Sequence, residues 1–383
     1  MTLSRMRVAV VTQYPRDPRA PRGGVEAVSV NLVQALARLD DLDVQVVTTD
    51  PEVAAPRVEE IDGAMIHRLP RGGGPLLSEA VRAGRRRVLQ CLEGLRPDVV
   101  HSHDVYGLMV QGVAAPSVFT VHGFIYADTR VSGERLPWLR SALWRLFEVR
   151  GWASHGDVIA ISPYVRERLS GRIRGRIHDI ENPIAREFFD VERREEPGVV
   201  FSAALIERRK NPLALVEALI ALRARGVDAR LRLAGPVREP DYGRRLESRV
   251  AAVPGHVDLL GSLPSPAVRE ELARASVFAL ASLEENAPMG IAEAMAAGVP
   301  VVASDRCGMP YMVKEGGTGH LVDPLDVADV TDRLAALLSD PARRSAMGEL
   351  ARRLARERHH PDVVAARTRE VYRRAVARRA TGR

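Results

Sequence analysis

The sequence predicts an α/β chain folded as two doubly wound parallel-sheet domains, and three observations carry that expectation. Short β-branched apolar runs recur along the chain, among them Arg7 to Thr12, Val199 to Ala204 and Val299 to Ala303. Runs that are apolar on both faces suit strands covered on both sides by helices. Stretches with helical apolar spacing separate them, which is the alternation of a parallel sheet. The alternation breaks once, at the charged, Pro- and Gly-bearing stretch Glu192 to Gly198, and then restarts. At 383 residues the chain can bury two cores.

In the first half, Arg7 to Thr12 is the opening strand. The turn-rich loop Pro15 to Pro21 follows, and Gly23-Gly24 open a helix with the stripe Val28, Leu32, Ala35, Leu36 and Leu39. Strand, glycine loop and helix together let a phosphate approach a helix N-terminus. The third spaced glycine of a dinucleotide fingerprint is missing. Val44 to Thr48 and Met65 to Arg68 are strands. Arg82 to Leu95 is a basic helix containing Arg85-Arg86-Arg87, and Asp98 to His101 and Val118 to Val121 are further strands. His101, His103 and His122 lie at strand ends. A helical crossover separates the first two from His122, and no nearby carboxylate completes a metal set, so no metal site is expected.

Leu136 to Trp152 holds Trp138, Trp144 and Trp152 with Leu139, Leu143, Leu146 and Phe147, interspersed with Arg135, Arg140, Arg145 and Arg150. It reads either as an interfacial amphipathic segment or as a core helix with snorkelling arginines. Asp157 to Ser162 is a strand, with Ser162 capping a helix to about Leu169. Ile177 to Pro183 ends in Glu181-Asn182-Pro183.

In the second half, Val199 to Ala204 leads into Glu207-Arg208-Arg209-Lys210-Asn211-Pro212 and a helix from Leu213 to Arg225. A strand-end loop with adjacent cations suits a diphosphate, Arg as a planar fork and Lys as a point charge. Arg230 to Gly235, Val257 to Gly261 and Val277 to Ala281 are strands. The run from Glu285 to Ser304 is then the most informative in the chain. Pro288 fits the first position of a short helix, Ile291, Ala292, Met295 and Ala296 form its stripe, and Gly298 supplies its left-handed cap. The helix N-terminus offers unpaired N–H groups to an anion, and Gly290 lets a ligand approach the backbone. Glu285 just before this helix and Glu293 within it are acceptor-only carboxylates, able to hold hydroxyls at two places on one elongated ligand. Asp329 to Leu338, Ala342 to Arg358 and Asp362 to Arg379 close the chain as helices, with a break at His359-His360-Pro361.

Glu285, seven residues, Glu293, then Ala294-Met295-Ala296-Ala297-Gly298-Val299-Pro300-Val301-Val302-Ala303-Ser304 closely resembles the donor-binding signature of retaining glycosyltransferases of the GT-B fold, glycosyltransferase family 4. The resemblance implies two Rossmann-like domains facing a cleft, with a C-terminal helix crossing back to the first. Residues 1–190 would be the acceptor-side domain, 191–198 a linker, 199–358 the nucleotide-sugar donor domain and 359–383 the returning helix. Glu285 would contact the donor hexose and Glu293 the ribose. The amides at Pro288, Met289 and Gly290 would face the sugar and diphosphate, and Arg209 and Lys210 would hold the diphosphate. Gly23 and Gly24 would lie across the cleft near the diphosphate and acceptor. Thr120-Val121-His122-Gly123 matches the family's Thr-x-His pattern, with His122 pointing toward the reacting sugar. His103 is a further acceptor-side candidate, and Asn182 would bond backbone at the hinge. Three departures stand out: Asn286-Ala287-Pro288-Met289 where Gly-Phe-Gly-Leu is usual, Ala204-Leu205 where many members have Gly-Arg, and Gly308-Met309-Pro310-Tyr311-Met312 where Gly-Gly-x-x-Glu is frequent.

The expected reaction is metal-independent, retaining transfer of a hexosyl group from a nucleotide-diphosphate sugar, such as a UDP- or GDP-hexose, to an acceptor hydroxyl. The sugar nucleotide is a co-substrate, and no cofactor is implied. A GT-B nucleotide-sugar epimerase and a non-catalytic nucleotide-sugar-binding subunit are the rival readings. Composition is globular, 46% hydrophobic and 27% charged, and two distant cysteines, Cys91 and Cys307, fit a reducing cytosol. No secretory signal is legible from Met1 to Arg7, and no apolar run reaches the roughly 20 residues a spanning helix needs. Aromatic content of 4% gives little for stacking nucleic acid, which is not expected as a partner. The net charge of +7 and a lipid-linked acceptor would fit a cytoplasmic enzyme in weak peripheral contact with the inner face of the membrane.

Overall fold

The structure is a computed structural model that describes residues 5–74, 76–124 and 137–381. Arg135 and Leu136, and the segment Met1 to Ser4, lie outside the described residues, as do the side chains of Arg140 and Arg150. The chain divides into two compact units, residues 1–183 with 361–383, and residues 184–360.

The first unit is built on strands β1 (Met6–Val11), β2 (Leu42–Asp50), β3 (Arg57–Ile61), β4 (Ala64–Pro70), β5 (Val99–His103), β6 (Ser117–Val121), β7 (Asp157–Ala160) and β8 (Arg176–Asp179), in the order β3-β4-β2-β1-β5-β6-β7-β8. All pairs are parallel except β3 with β4. Central strands such as β1 are buried on both faces because helices cover both. On one face lie α1 (Gly24–Ala37) and the C-terminal helix; on the other lie α2 (Leu76–Val81), α3 (Ala83–Leu95), α4 (Tyr106–Met109) and α5 (Pro137–Ala153). Helix α6 (Pro163–Leu169) begins where Ser162 Oγ accepts the Val165 N–H at 3.3 Å.

The second unit has six parallel strands, β9 (Val199–Ala203), β10 (Arg230–Ala234), β11 (Val257–Gly261), β12 (Val277–Leu280), β13 (Val301–Ser304) and β14 (Gly319–Val322), ordered β11-β10-β9-β12-β13-β14. One core lies under α7 (Pro212–Ala224), α8 (Pro240–Val250) and α11 (Val327–Leu338), the other under α9 (Ser265–Arg274), α10 (Met289–Ala296) and α12 (Pro341–His359). The order reverses between β9 and β12, the place where an open α/β sheet binds ligands.

Residues 191–198, expected as a linker, pack as part of the second unit, as does the preceding stretch from Ile184. Ile184, Phe188, Phe189 and Val191 are in its core, Arg194 N–H donates to Ala273 O at 2.8 Å and Glu196 N–H to Arg274 O at 2.8 Å. The stretch caps the C-terminal carbonyls of helix α9 rather than forming a solvated tether. Helix α13 (Pro361–Ala380) joins the first unit: Val364, Ala365, Val371, Tyr372 and Ala375 complete its core, and Arg369 and Arg373 both reach Asp41. No helix among the described residues is long and apolar enough to cross a membrane.

Candidate active site

In the second unit the site is assembled from three loops at the carboxyl ends of β9, β12 and β13. The loop after β9 carries Arg209 and Lys210, and the loop after β12 carries Glu285. Leu283 N–H donates to Arg209 O at 2.7 Å and Arg209 Nη1 donates to Glu284 O at 3.0 Å, so the two loops are laced together. Lys210 Nζ pairs closely with Glu285 Oε1, and Arg209 Nη1 stands 3.7 Å from Glu285 Oε2. Ser282 Oγ donates to Glu285 Oε1 at 3.4 Å. Arg208 turns away to Glu239 and is exposed, which separates it from Arg209 and Lys210. Glu285 is 9% exposed. A buried carboxylate needs partners of this kind to remain ionised.

The third loop fixes the backbone of Glu285, a contribution the sequence reading lacked. Gly308 N–H donates to Glu285 O at 2.8 Å, and a Cβ at 308 would fall 1.8 Å from Asn286 O. Only glycine fits there, and the preceding Cys307 takes a left-handed φ of 56° to deliver it. The available signal was Gly308, which stands tight against the glutamate loop.

Helix α10 starts one residue later than its sequence suggests. Pro288 is its extended N-cap (φ −66°, ψ 124°) with no side-chain cap, and Met289 is the first helical residue. The amides of Met289 and Gly290 therefore open the helix next to Glu285 without a protein side chain to cap them. Ile291 and Met295 anchor the opposite face in the core, each worth about 1.5–3 kcal/mol of burial. Gly290 also serves packing, since a Cβ there would meet the Phe278 ring at 3.0 Å. Gly298 takes the left-handed C-cap (φ 73°). Glu293 is half-buried, and no cation or hydrogen-bond donor meets its carboxylate among the described residues. Burial pushes its carboxyl up to about 7.

In the first unit, Gly23 is the extended N-cap of α1, and a Cβ there would meet open space. Its neighbour Arg22 N–H is accepted by Glu26 Oε2 at 2.7 Å. A cavity of about 450 Å³ opens at the carboxyl ends of β1, β2 and β4, lined by Gln13, Thr48, Thr49, Arg22, Arg71 and Tyr106. His122 follows β6, with its Nε2 3.0 Å from His103 Nδ1 and its ring hydrogen-bonded to the Asn182 side chain. Asn182 thus supports the histidine through its side chain, where backbone bonds at a hinge were expected. His101 is locked between Tyr372 OH and Thr120 Oγ1, each at 2.7 Å.

Burial pushes the His101 imidazole down to about 3 and His122 to about 4, and holds His103 well below its usual range. All three are neutral at pH 7. A carboxylate does stand beside them, contrary to the sequence expectation. Asp104, raised to about 7 by burial, accepts the His122 backbone N–H. Even so, among the described residues no group of three or more His, Cys, Asp or Glu side chains is arranged to hold a metal ion. The structure thus brings Arg209, Lys210, Glu285, Pro288, Met289, Gly290 and Glu293 into one unit, and Gly23, Gly24 and His122 into the other.

Comparison with known proteins follows the same division. Residues 22–188 match the family described as Glycosyltransferase Family 4, and residues 183–354 that described as Glycosyl transferases group 1. The D-inositol 3-phosphate glycosyltransferase of Arthrobacter sp. (strain FB24) is 29% identical over 92% of this chain and 91% of its own. The sucrose-phosphate synthase of Thermosynechococcus elongatus superposes with a TM-score of 0.80 at 21% identity, over 97% of this chain and 100% of that one. Anabaena HepE, solved in complex with UDP-glucose, superposes with a TM-score of 0.70 at 16% identity, over 96% and 99%. Matched by these two families in succession and sharing its fold with these solved structures, the chain belongs to glycosyltransferase family 4, group 1, with the GT-B fold, and is a glycosyltransferase.

Proposed function

We propose that the enzyme moves a hexosyl group from a nucleotide-diphosphate sugar, of the UDP- or GDP-hexose kind, to an acceptor hydroxyl, with retention at the anomeric carbon and without a metal ion. The observation that carries this reading is the shared contact of Arg209 and Lys210 with Glu285 in front of the uncapped start of α10. A diphosphate seated at that helix start would compete with Glu285 for the two cations. Drawing them onto phosphate would release the carboxylate to accept hydroxyls of the sugar. The bond from C1 to the diphosphate oxygen breaks as the bond from C1 to the acceptor oxygen forms on the same face. The acceptor proton passes to the departing phosphate, whose charge Arg209, Lys210 and the α10 amides receive. That set supplies what a divalent ion would otherwise supply.

Glu293, rising toward neutrality in its own surroundings, would ionise on accepting hydroxyl donors from the nucleotide. The cavity beside Thr48, Thr49, Arg22 and Arg71 is the acceptor place in this reading, because it lies at strand carboxyl ends and is rich in groups that bond hydroxyls. The UDP-glucose in complex with HepE is a sugar nucleotide of the same class. The test is transfer from UDP- and GDP-hexoses to a polyol panel in excess EDTA, with product configuration read by proton NMR. An α-linked product from an α-donor, formed undiminished in EDTA, is expected. Inversion, or activity restored only by a divalent ion, would overturn the corresponding half.

A further inference from the structure

Glu207 is a buried carboxylate in the loop after β9, and no step of the reaction above uses it. The chain puts it there by fixing the backbone on either side. Ile206, in the second unit's core, donates its N–H to Pro236 O at 3.0 Å and accepts the Arg238 N–H at 3.1 Å. That ties the end of β9 to the loop after β10. Glu207 O then accepts the N–H groups of Lys210 and Asn211, each at 3.2 Å, which closes the turn into α7. The Glu207 side chain is buried between two arginines: Oε1 stands 3.0 Å from Arg209 Nη2, and Oε2 stands 3.7 Å from Arg238 Nε. A buried carboxylate requires cations of this kind.

The Arg209 guanidinium is therefore shared. Its Nη2 faces Glu207, and its Nη1 donates to Glu284 O at 3.0 Å. Nη1 also stands 3.7 Å from Glu285 Oε2, too far for a hydrogen bond. Glu285 Oε1 is taken by Lys210 and Ser282, whereas among the described residues no donor bonds Oε2. Two buried carboxylates thus compete for one planar fork. Without Glu207, Glu285 is the carboxylate left beside Arg209, and a small closure of Nη1 would cover Oε2 with a charge-assisted bond.

We propose that Glu207 is a positioning residue, which holds the Arg209 fork off Glu285 and so keeps Oε2 open for a hydroxyl of the donor sugar. This rests on the reading of Glu285 as the group that accepts sugar hydroxyls. Glu207 touches no substrate and acts through Arg209 alone.

The test begins with crystal structures of ligand-free wild type and Glu207→Ala. The variant is expected to show Arg209 Nη1 within hydrogen-bond distance of Glu285 Oε2, and a fork that stays in place would overturn the inference whichever donor the enzyme uses. In turnover, Glu207→Ala lowers kcat by about tenfold or more, while UDP or GDP affinity, read by calorimetry, changes by less than about threefold. In an Arg209→Ala background the same substitution costs nothing further, because the residue it acts through is gone. Losses that multiply, or a wild-type kcat, count against the role. Glu207→Gln keeps the side-chain volume while removing the charge, and it carries the same readings if the alanine variant melts early. A wild type inactive with every UDP- and GDP-hexose would sink the reaction assigned above, and the two crystal structures would still decide what Glu207 does.

Discussion

At the strand ends of the second unit, Glu285 is ringed by Lys210, Arg209 and Ser282, and every one of these contacts is polar or ionic. At the strand ends of the first unit, His101, His103 and His122 touch one another and Tyr372, Thr120 and Asn182, and all three imidazoles are held neutral. The two places are built from side chains that titrate, yet one joins them in ion pairs and the other holds its imidazoles neutral. Charge is retained where a diphosphate would bring more of it. Neutral, cross-bonded imidazoles form a rigid wall that holds a direction without adding a field. Glu293 stands between the extremes, a half-buried carboxylate with no cation beside it among the described residues, and it is pushed toward the neutral form.

The largest expected effect comes from removing the charge at the centre of the ionic cluster. Glu285→Gln should lower turnover by about 10²–10³-fold, on the order of 3–4 kcal/mol of transition-state stabilisation. Nucleotide affinity, read by calorimetry, should hold or rise as Lys210 is freed. The contrast between the units breaks if the variant turns over like wild type.

Next is the cation pair. Arg209→Ala with Lys210→Ala should weaken UDP or GDP by roughly 10–100-fold while leaving the bare nucleoside unaffected, because only the phosphates lose charge-assisted bonds. Equal loss on nucleotide and nucleoside, again by calorimetry, would assign the loop a folding role.

Glu293→Gln sharpens the middle case and should show the smallest effect. The folded carboxyl titrates near 7, above the unfolded value, so the neutral form is favoured in the native state. That stabilisation is complete below the unfolded value and is lost as pH rises through about 7. The variant should therefore be more stable than wild type by about 1–2 kcal/mol at alkaline pH and equal to it at about pH 4. Thermal melts across that range decide, and a difference independent of pH would mean the carboxyl is not the cause.

Much of this was legible in the sequence because buried parallel strands are continuous apolar runs, and β1, β5, β9 and β12 fall where those runs lie. Strand β3 was not, since Arg57-Val58-Glu59-Glu60-Ile61 is an edge strand facing water, with charges in place of the apolar signal. Helices α8 and α9 escaped for the same reason, being largely charged on their outer faces. The motif around Glu285 could be read because its residues are local. The pairing of Glu285 with Lys210 spans 75 residues and depends on β9 and β12 lying side by side, which no local spacing encodes. The stretch after Asp190 misled because its charges resemble a solvated tether, and only the neighbouring end of helix α9 turns it into a cap.

Helix α13 closes the core of a unit whose other residues all precede position 184. During synthesis the second unit, contiguous from 184 to 360, has its whole sequence available before Tyr372 leaves the ribosome to meet His101. The first unit must wait with part of one face of its sheet, beside α1, uncovered until α13 arrives. A message cut off before α13 therefore damages the first unit rather than the second, and the neutral histidine wall is completed only after the second unit's sequence has been made.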